Sequence, residues 1–425
     1  MSEAVPKLAQ RLVHAVRTTL AGVLVGASLL TQSRGASAAP ISLDVAARLG
    51  AERGPGVAVA AASRTGLAEA ARAAEAPLVH PPQLTVSAGR RFGALGGGTE
   101  LSATALIDVP TRRVGEARGE VAASGLEVMQ LDLRRARLDG ALRAGLAWVR
   151  LAEARDIFAV RRISLDQATA LAGIAERRVK SGVAFPVELA LALGDLGAAE
   201  AGTVEAEGML TEALFDLRMA IGAAVDSTLE ATGDLCSTDE RSVDGGEVRR
   251  DAEGKNPSLA LAEARARAAS REARLTVASA APVIGLGGTF LRDGFGDTVW
   301  AGVVVLPLPF VDRGRFDASR ARAHADVLAA STDHVRAELG RESELALHDR
   351  EHARELRDVL ERRSLPPMRE ALRLARAQVE AGTSDATLAL LARSRLAQAE
   401  EAHTRACADV QRADLRVRRV AGRLP

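Results

Sequence analysis

Landmark residues in this sequence come in pairs about 200 positions apart. Pro82 in "PPQLTVSAG" answers to Pro282 in "APVIGLGG", Gly182 to Gly382, and Gly222 in "LRMAIGA" to Gly422 in "VRRVAGR", each separated by 200 residues. Pro110 in "IDVPTRRVGEA" and Pro309 in "LPLPFVDRGRF" are 199 apart. A register so constant along a whole chain means two copies of one architecture. Each copy holds a helix, a strand pair and two further helices. The first covers 39–222 and the second 256–425, and the polar, Gly- and Ser-containing stretch 223–255 between them reads as a linker.

Within the first copy, 111–181 contains no Pro. Val114, Val121, Val128, Leu131, Leu138, Leu142, Val149 and Ile163 occupy the a and d positions of one heptad register, the pattern of a coiled-coil seam. A helix of this length spans roughly 105 Å at 1.5 Å per residue, more than a compact domain can use. After Gly182 a helical pattern resumes for about 60 Å, and a segment at 55–77 adds roughly 35 Å. Stacked end to end, the two shorter helices nearly match the long one. The second copy repeats this with 310–381 descending and 383–421 returning. Composition agrees: aromatics are 2% and Tyr is absent, while long tracts of Ala, Leu, Arg and Glu suit helices packed closely over great length rather than a thick globular core.

"RVKSGVAFPVELAL" and "QVEAGTSDATLALL" are then the tips of two helical hairpins. Gly182 and Gly382 are free to take the left-handed conformation that ends a helix. Ser181, Thr383, Ser384 and Asp385 are candidates to cap orphan amides there. Pro186 falls in the first turn of its return helix, where Pro is tolerated. Pro366 and Pro367 interrupt the second descending helix about fifteen residues above its tip and must bend or restart it.

The segments 83–93 and 99–109 read as two strands, as do 283–293 and 298–308. Eleven tilted residues cross roughly 25–30 Å, the apolar height of an outer-membrane barrel. Apolar alternation is visible in Leu84, Val86 and Ala88, and in Val299, Ala301, Val303 and Val305. Trp300 and Phe310 suit membrane interfaces. Taken alone the strands fit two soluble hairpins with one half-buried face better, because barrel signals are weak per segment. Combined with the rods, they cannot close a barrel as four, because open edges are not tolerated in lipid. Three protomers sharing one barrel would supply twelve.

The start of the chain has the form of an export signal. Lys7, Arg11 and Arg17 precede the apolar run "TLAGVLVGASLL", and Ala36-Ser37-Ala38 forms an A-x-A-like cleavage site, so 1–38 is expected to be removed. A retained anchor is the alternative, but the run is shorter than the roughly 20 residues of a spanning helix. Cys236 and Cys407 are the only cysteines. They form no metal or redox motif in sequence, and both a disulfide and two buried thiols remain open.

With this duplication, the Gly-centred tips, "PLPFVDRGRFDASRARA" entering the long helix and "LRMAIG" closing the first copy, the chain resembles the TolC-type outer-membrane efflux and secretion channels over nearly all of its mature length. "LPPMREALRLARAQVEAGTSDATLALLARSRLAQAE" resembles the metal-efflux branch of that family. The resemblance implies an α+β membrane protein built of two structural repeats. It further implies a homotrimer forming a twelve-stranded outer-membrane β-barrel continuous with an α-helical periplasmic tunnel, in contact with outer-membrane lipid. That tunnel would dock tip-first onto a periplasmic adaptor and an inner-membrane transporter, through Ser181, Gly182, Val183, Gly382, Thr383, Ser384 and Asp385. No cofactor is implied. Val379 stands where family members often carry an aromatic before the second tip Gly. Leu388 and Leu391 occupy a segment that is acidic in some members, leaving only Asp385, which argues against a carboxylate constriction.

Three other classes are weighed against this. With 56 basic and 55 acidic residues, net charge +1, no global field draws the chain to nucleic acid. A soluble periplasmic adaptor would carry one hairpin flanked by β-rich domains, not two hairpins and two strand pairs. His348, Glu351 and His352 match the H-x-x-E-H order of some zinc peptidases, but they lie mid-rod in a charged tract. His334, His348 and His352 share one helical face, away from Val335, Leu339, Leu356 and Leu360. This is the pattern of a polar stripe, with transient contact to a passing cation as its functional reading.

Overall fold

The computed structural model describes residues 39–74, 81–93, 96–109, 111–237, 243–281, 283–306 and 314–425. The expected signal at 1–38 and the landmarks Pro110, Pro282, Pro309 and Phe310 lie outside them.

In chain order, β1 (Ala39–Ile41) precedes three short helices, α1 (Leu43–Arg53), α2 (Pro55–Ala62) and α3 (Arg64–Ala74), and then β2 (Gln83–Gly93) and β3 (Gly96–Val109). The long α4 (Arg112–Lys180) and α5 (Pro186–Ala220) follow, with β4 (Leu229–Ala231) and α6 (Gly245–Lys255) after them. The second copy supplies α7 (Pro257–Ser279), β5 (Ile284–Arg292), β6 (Thr298–Val305), α8 (Arg315–Val359), α9 (Leu365–Glu380) and α10 (Thr387–Val420).

The 69 residues of α4 run unbroken, about 100 Å of helix. Its packing is not the simple seam the heptads suggested. Val114, Leu138 and Val149 are buried, but Ile163 is 53% exposed. Much of the buried line is small: Gly140, Ala141, Ala144, Gly145, Ala152, Ala168, Ala172 and Ala175. The reason is that α4 packs against α1, α5, α7 and α10, so several of its faces need close approach rather than one stripe of large knobs. Where α1 crosses α4, a Cβ on Gly50 or on Gly140 would lie 2.4 Å from the other's carbonyl oxygen.

In the second copy the rod changes its hydrogen bonding at the prolines. α8 passes into a π-helical turn, Leu360–Ser364, and α9 restarts with Pro366 and Pro367 in its first turn, Leu365 remaining in the right-handed helical region. The wider turn absorbs the hydrogen bonds that two prolines cannot donate.

The four strands form one antiparallel sheet in the order β2-β3-β5-β6. Among the described residues, β2 and β6 therefore each have a single neighbour. β3 starts at Gly96 rather than 99, because Gly96, Gly97 and Gly98 pair with Gly93, Phe92 and Arg91 and carry the ladder up to the turn. β5 and β6 are shorter than expected. Asp293 is taken into the turn, its carboxylate accepting the amides of Phe295 and Asp297 at 2.9 Å, and residues 307–308 lie outside the described ones.

Register settles which side chains share a face. Leu84, Val86 and Ala88 oppose Ala105, Ala103 and Leu101; these continue to Gly288, Phe290 and Arg292, and onward to Gly302, Trp300 and Thr298. Ile107, Leu286 and Val304 extend the same face. It is apolar apart from its turn end, where Arg90, Thr99, Arg292 and Thr298 lie, with Trp300 79% and Val304 64% exposed and the Phe290 and Trp300 rings 4.9 Å apart. The opposite face carries Thr85, Ser87, Ser102, Thr104 and Thr289, with hydroxyl pairs Ser87–Ser102 at 2.8 Å and Thr104–Thr289 at 2.9 Å. Val299, Ala301, Val303 and Val305 lie on this hydroxyl face. The alternating sets read from the two copies thus sit on opposite sides of the sheet, a phase that alternation alone leaves open.

The linker is more structured than its composition suggested. β4 pairs with β1. α6 is capped by Asp244, which accepts the Gly246 amide at 2.9 Å, and is held by Arg423, which donates to Asp251 at 2.7 Å and Glu247 at 2.6 Å. Hydrogen bonds from Lys255 and Arg423 hold the Asp251 carboxyl below its usual range. A helix fastened by ion pairs needs little apolar periodicity, so a periodicity search misses it. Cys236 and Cys407 are joined as a disulfide, one of the two states left open by the sequence.

Candidate functional site: paired hairpin tips

Both hairpins turn on the same construction. α4 ends at Lys180, and the amides of Gly182 and Val183 return to the carbonyls of Val179 and Arg178, each at 3.0 Å. α9 ends at Glu380, and those of Gly382 and Thr383 return to Val379 and Gln378 at 3.1 and 3.0 Å. This double return is the Schellman motif, which needs a left-handed residue after the helix. Gly182 and Gly382 both have φ +72°, and the other repeated pair, Gly222 and Gly422, ends α5 and α10 with φ of +65° and +66°. The landmarks that revealed the duplication are the four glycines that stop its long helices.

Capping differs from expectation. The hydroxyls of Ser181 and Thr383 donate to carbonyls, those of Arg178 and Gln378, at 3.0 and 3.1 Å. Asp385 does cap an amide, accepting from Thr387 at 3.0 Å. Ser384 is half-buried. The first amide of the α10 turn, that of Ala386, is met from the other hairpin by Glu188 at 3.3 Å.

Glu188 is the centre of a bridge between the tips. It is buried in the first turn of α5 and accepts from Arg178 Nε at 3.0 Å, while Arg178 Nη1 donates to the Val379 carbonyl at 3.4 Å. Beneath it, Leu171, Ala172, Ala175, Ala192, Val379, Ala386, Ala389 and Leu390 form one apolar cluster drawn from both hairpins. Val379, noted in sequence as a departure from an aromatic, is a buried member of that cluster. At the surface the tips present Gly182, Val183, Gly382, Thr383 and Asp385, together with Phe185 at 80% exposure. Phe185 and Glu188 were not singled out in sequence. Their signal was local, an aromatic and a carboxylate flanking the N-terminal Pro186, but nothing there says that the second tip lies alongside. Near this end the Lys180 ammonium holds the Glu176 carboxyl below its usual range, through a hydrogen bond at 2.7 Å.

The histidine stripe does not converge. His348 and His352 are exposed on α8 with rings stacked at 6.3 Å. His334 lies fourteen residues away along the same helix, about 21 Å, beside a groove with Arg135, Arg265 and Glu338. Among the described residues, the one cluster of His, Cys, Asp or Glu able to share an ion is Cys236, His403 and Cys407. None of the described helices is long and apolar enough to cross a membrane.

Residues 248–423 match the model of a family described as outer membrane efflux protein. No curated protein matches the chain. Among solved structures, a membrane protein from Pseudomonas aeruginosa is 20% identical with a TM-score of 0.75, over 89% of this chain and 90% of that one. The CmeC outer membrane channel of Campylobacter jejuni is 13% identical with a TM-score of 0.76, over 93% and 90%. The outer membrane protein VceC of Vibrio cholerae is 17% identical with a TM-score of 0.72, over 89% and 96%. At such identities the likeness establishes the fold.

Proposed function

We propose that this chain, whose residues 248–423 match the outer membrane efflux protein family model, is a member of that family and the passive exit duct of a tripartite efflux or type I secretion system in the outer membrane. The observation that carries the reading is the sheet: one face apolar except at its turn end, one hydroxyl-bearing face and, among the described residues, two edges without a neighbouring strand, mounted on long helical hairpins. In lipid such edges need partners, and three copies of a four-stranded sheet close a twelve-stranded barrel with hydroxyls inward. Along α5, Val187, Leu191, Leu193, Val204 and Phe215 are exposed in the single chain. Their number supports burial against a neighbouring protomer. A homotrimer of hairpins then continues the barrel as a periplasmic tunnel, whose tips meet an adaptor and, through it, an inner-membrane transporter. A soluble adaptor, the competing reading, has no use for two hairpins feeding one shared sheet.

The test is to extract the protein from outer membranes in mild detergent. A trimeric mass and stepwise ion conductance in a planar bilayer are expected. A monodisperse monomer with native helix content overturns the shared barrel.

The tips give a second test. A Cβ on Gly182 or Gly382 would meet nothing within 4 Å, so replacing either with Val costs only its backbone strain, roughly 1–2 kcal/mol. The double variant is expected to reach normal trimer levels and to lose export. Full export would remove the tips as the docking surface, and loss of trimer would make these glycines purely structural.

A further inference from the structure

Away from the tips, Cys236, in the turn after β4, and Cys407, in the middle of α10, meet beside His403. The two sulfurs and a ring nitrogen of His403 lie within 4.8 Å of one another, with His403 Nε2 3.8 Å from Cys407 Sγ. His403 and Cys407 are four residues apart, one above the other on one helical face. Cys407 is fully buried, whereas Cys236 and His403 are half-buried, which leaves the cluster a route to solvent.

We propose that this cluster is a redox-exchangeable cation site: a disulfide staple when oxidised and, when reduced, a thiolate–thiolate–imidazole site for one soft or borderline d10 cation such as Cu(I) or Zn(II). Two thiolates and an imidazole are the donor set such ions take, and three protein ligands leave one position for water. The two Cα atoms are 4.8 Å apart, so both sulfurs can reach an ion at about 2.3 Å. Burial pushes the His403 pKa below its ordinary value, chiefly by desolvation, with Arg369 and Arg357 adding to the effect against Glu361 and Asp234.

The disulfide is not what holds the loop in place. Gln411, one turn beyond Cys407, donates to the carbonyls of Leu235 at 3.1 Å and Ser237 at 2.9 Å. Asp234 accepts the Cys236 amide at 2.9 Å, and Arg155 donates to the carbonyls of Ala231 and Gly233. Leu235 is buried in the main core. Opening the bond therefore leaves the sulfurs facing each other. The exchange balances as follows: a protein dithiol gives two electrons and two protons to the Cys236–Cys407 bond, becoming a disulfide itself. The cation then displaces both thiol protons to solvent as two sulfur–metal bonds form.

The experiment uses the full chain in detergent, reduced with a phosphine, freed of reductant without air, and titrated with Cd(II) as the d10 probe. Expected are one Cd(II) per chain, with thiolate-to-metal charge-transfer absorption, and no binding to the oxidised protein. His403→Ala should weaken binding by roughly 10–100-fold or more while leaving the oxidised disulfide intact. Reduced protein should also regain with Cd(II) the thermal midpoint it loses on reduction. If reduced protein binds no more Cd(II) than a Cys236→Ser/Cys407→Ser variant, or if His403→Ala binds as tightly as wild type, the site is overturned. A reduced protein that Cd(II) does not restabilise overturns it equally, leaving the disulfide as a staple alone.

Discussion

Replacing Arg393 with Ala should destabilise the helical hairpins by about 3–5 kcal/mol, the cost of breaking a largely buried ion pair by removing one partner. Arg393 is 5% exposed on α10. It holds Asp195 of α5 in a two-pronged pair, Nε to Oδ2 at 2.9 Å and Nη2 to Oδ1 at 2.5 Å. Its Nη1 donates to the carbonyl of Ser164 on α4 at 3.2 Å and to that residue's hydroxyl. One guanidinium thus ties three helices from both repeats. Lys offers a point charge without the fork and should rescue little. Replacing Arg393 and Asp195 together with Leu should recover most of the loss, since a well-packed apolar pair often equals a buried ion pair. Thermal unfolding of the detergent-solubilised protein checks this. An Arg393→Ala variant that melts with wild type would mean that the pair is solvated in the assembly and contributes nothing.

The second large effect belongs to the sheet. Arg in place of Val304 is expected to cost about 2–4 kcal/mol per protomer if the apolar face meets lipid near the midplane, enough across the proposed trimer to deplete the assembled form. Val303 precedes it but lies on the face with Thr85, Ser87, Ser102, Thr104 and Thr289, so its replacement by Arg should assemble and shift the channel's ion selectivity instead. Outer-membrane trimer abundance and bilayer reversal potentials separate the two. Equal tolerance at both positions would mean these are not membrane strands, and a worse outcome at Val303 would invert the faces.

What the sequence determined by itself is whatever a short stretch of chain can enforce. A Gly after a charged helical run stops a helix because only Gly takes φ near +70° without strain, and so the duplication, the four helix ends and the tips were readable from spacing. The strand pairs were readable for the same reason, apart from ends decided by the Gly96–Gly98 ladder and the Asp293 turn. The small-residue lining of α4 was not, since heptads describe one partner and this helix has several. Nor was the phase of the second strand pair: Val299 to Val305 alternate as cleanly as Leu84 to Ala88, and only pairing across β3 and β5 places one set with hydroxyls and the other with apolar neighbours. The same limit applies to polar clusters. Glu188 meets Ala386 across 198 residues, Arg393 meets Ser164 across 229, and Cys236 meets Cys407 across 171. Each side chain taken singly is an ordinary charge or thiol on a helix or a turn, and its partner is fixed by how the two repeats dock. Periodicity carries no information about that docking, because it is set by the simultaneous packing of helices whose facing residues are far apart in the chain.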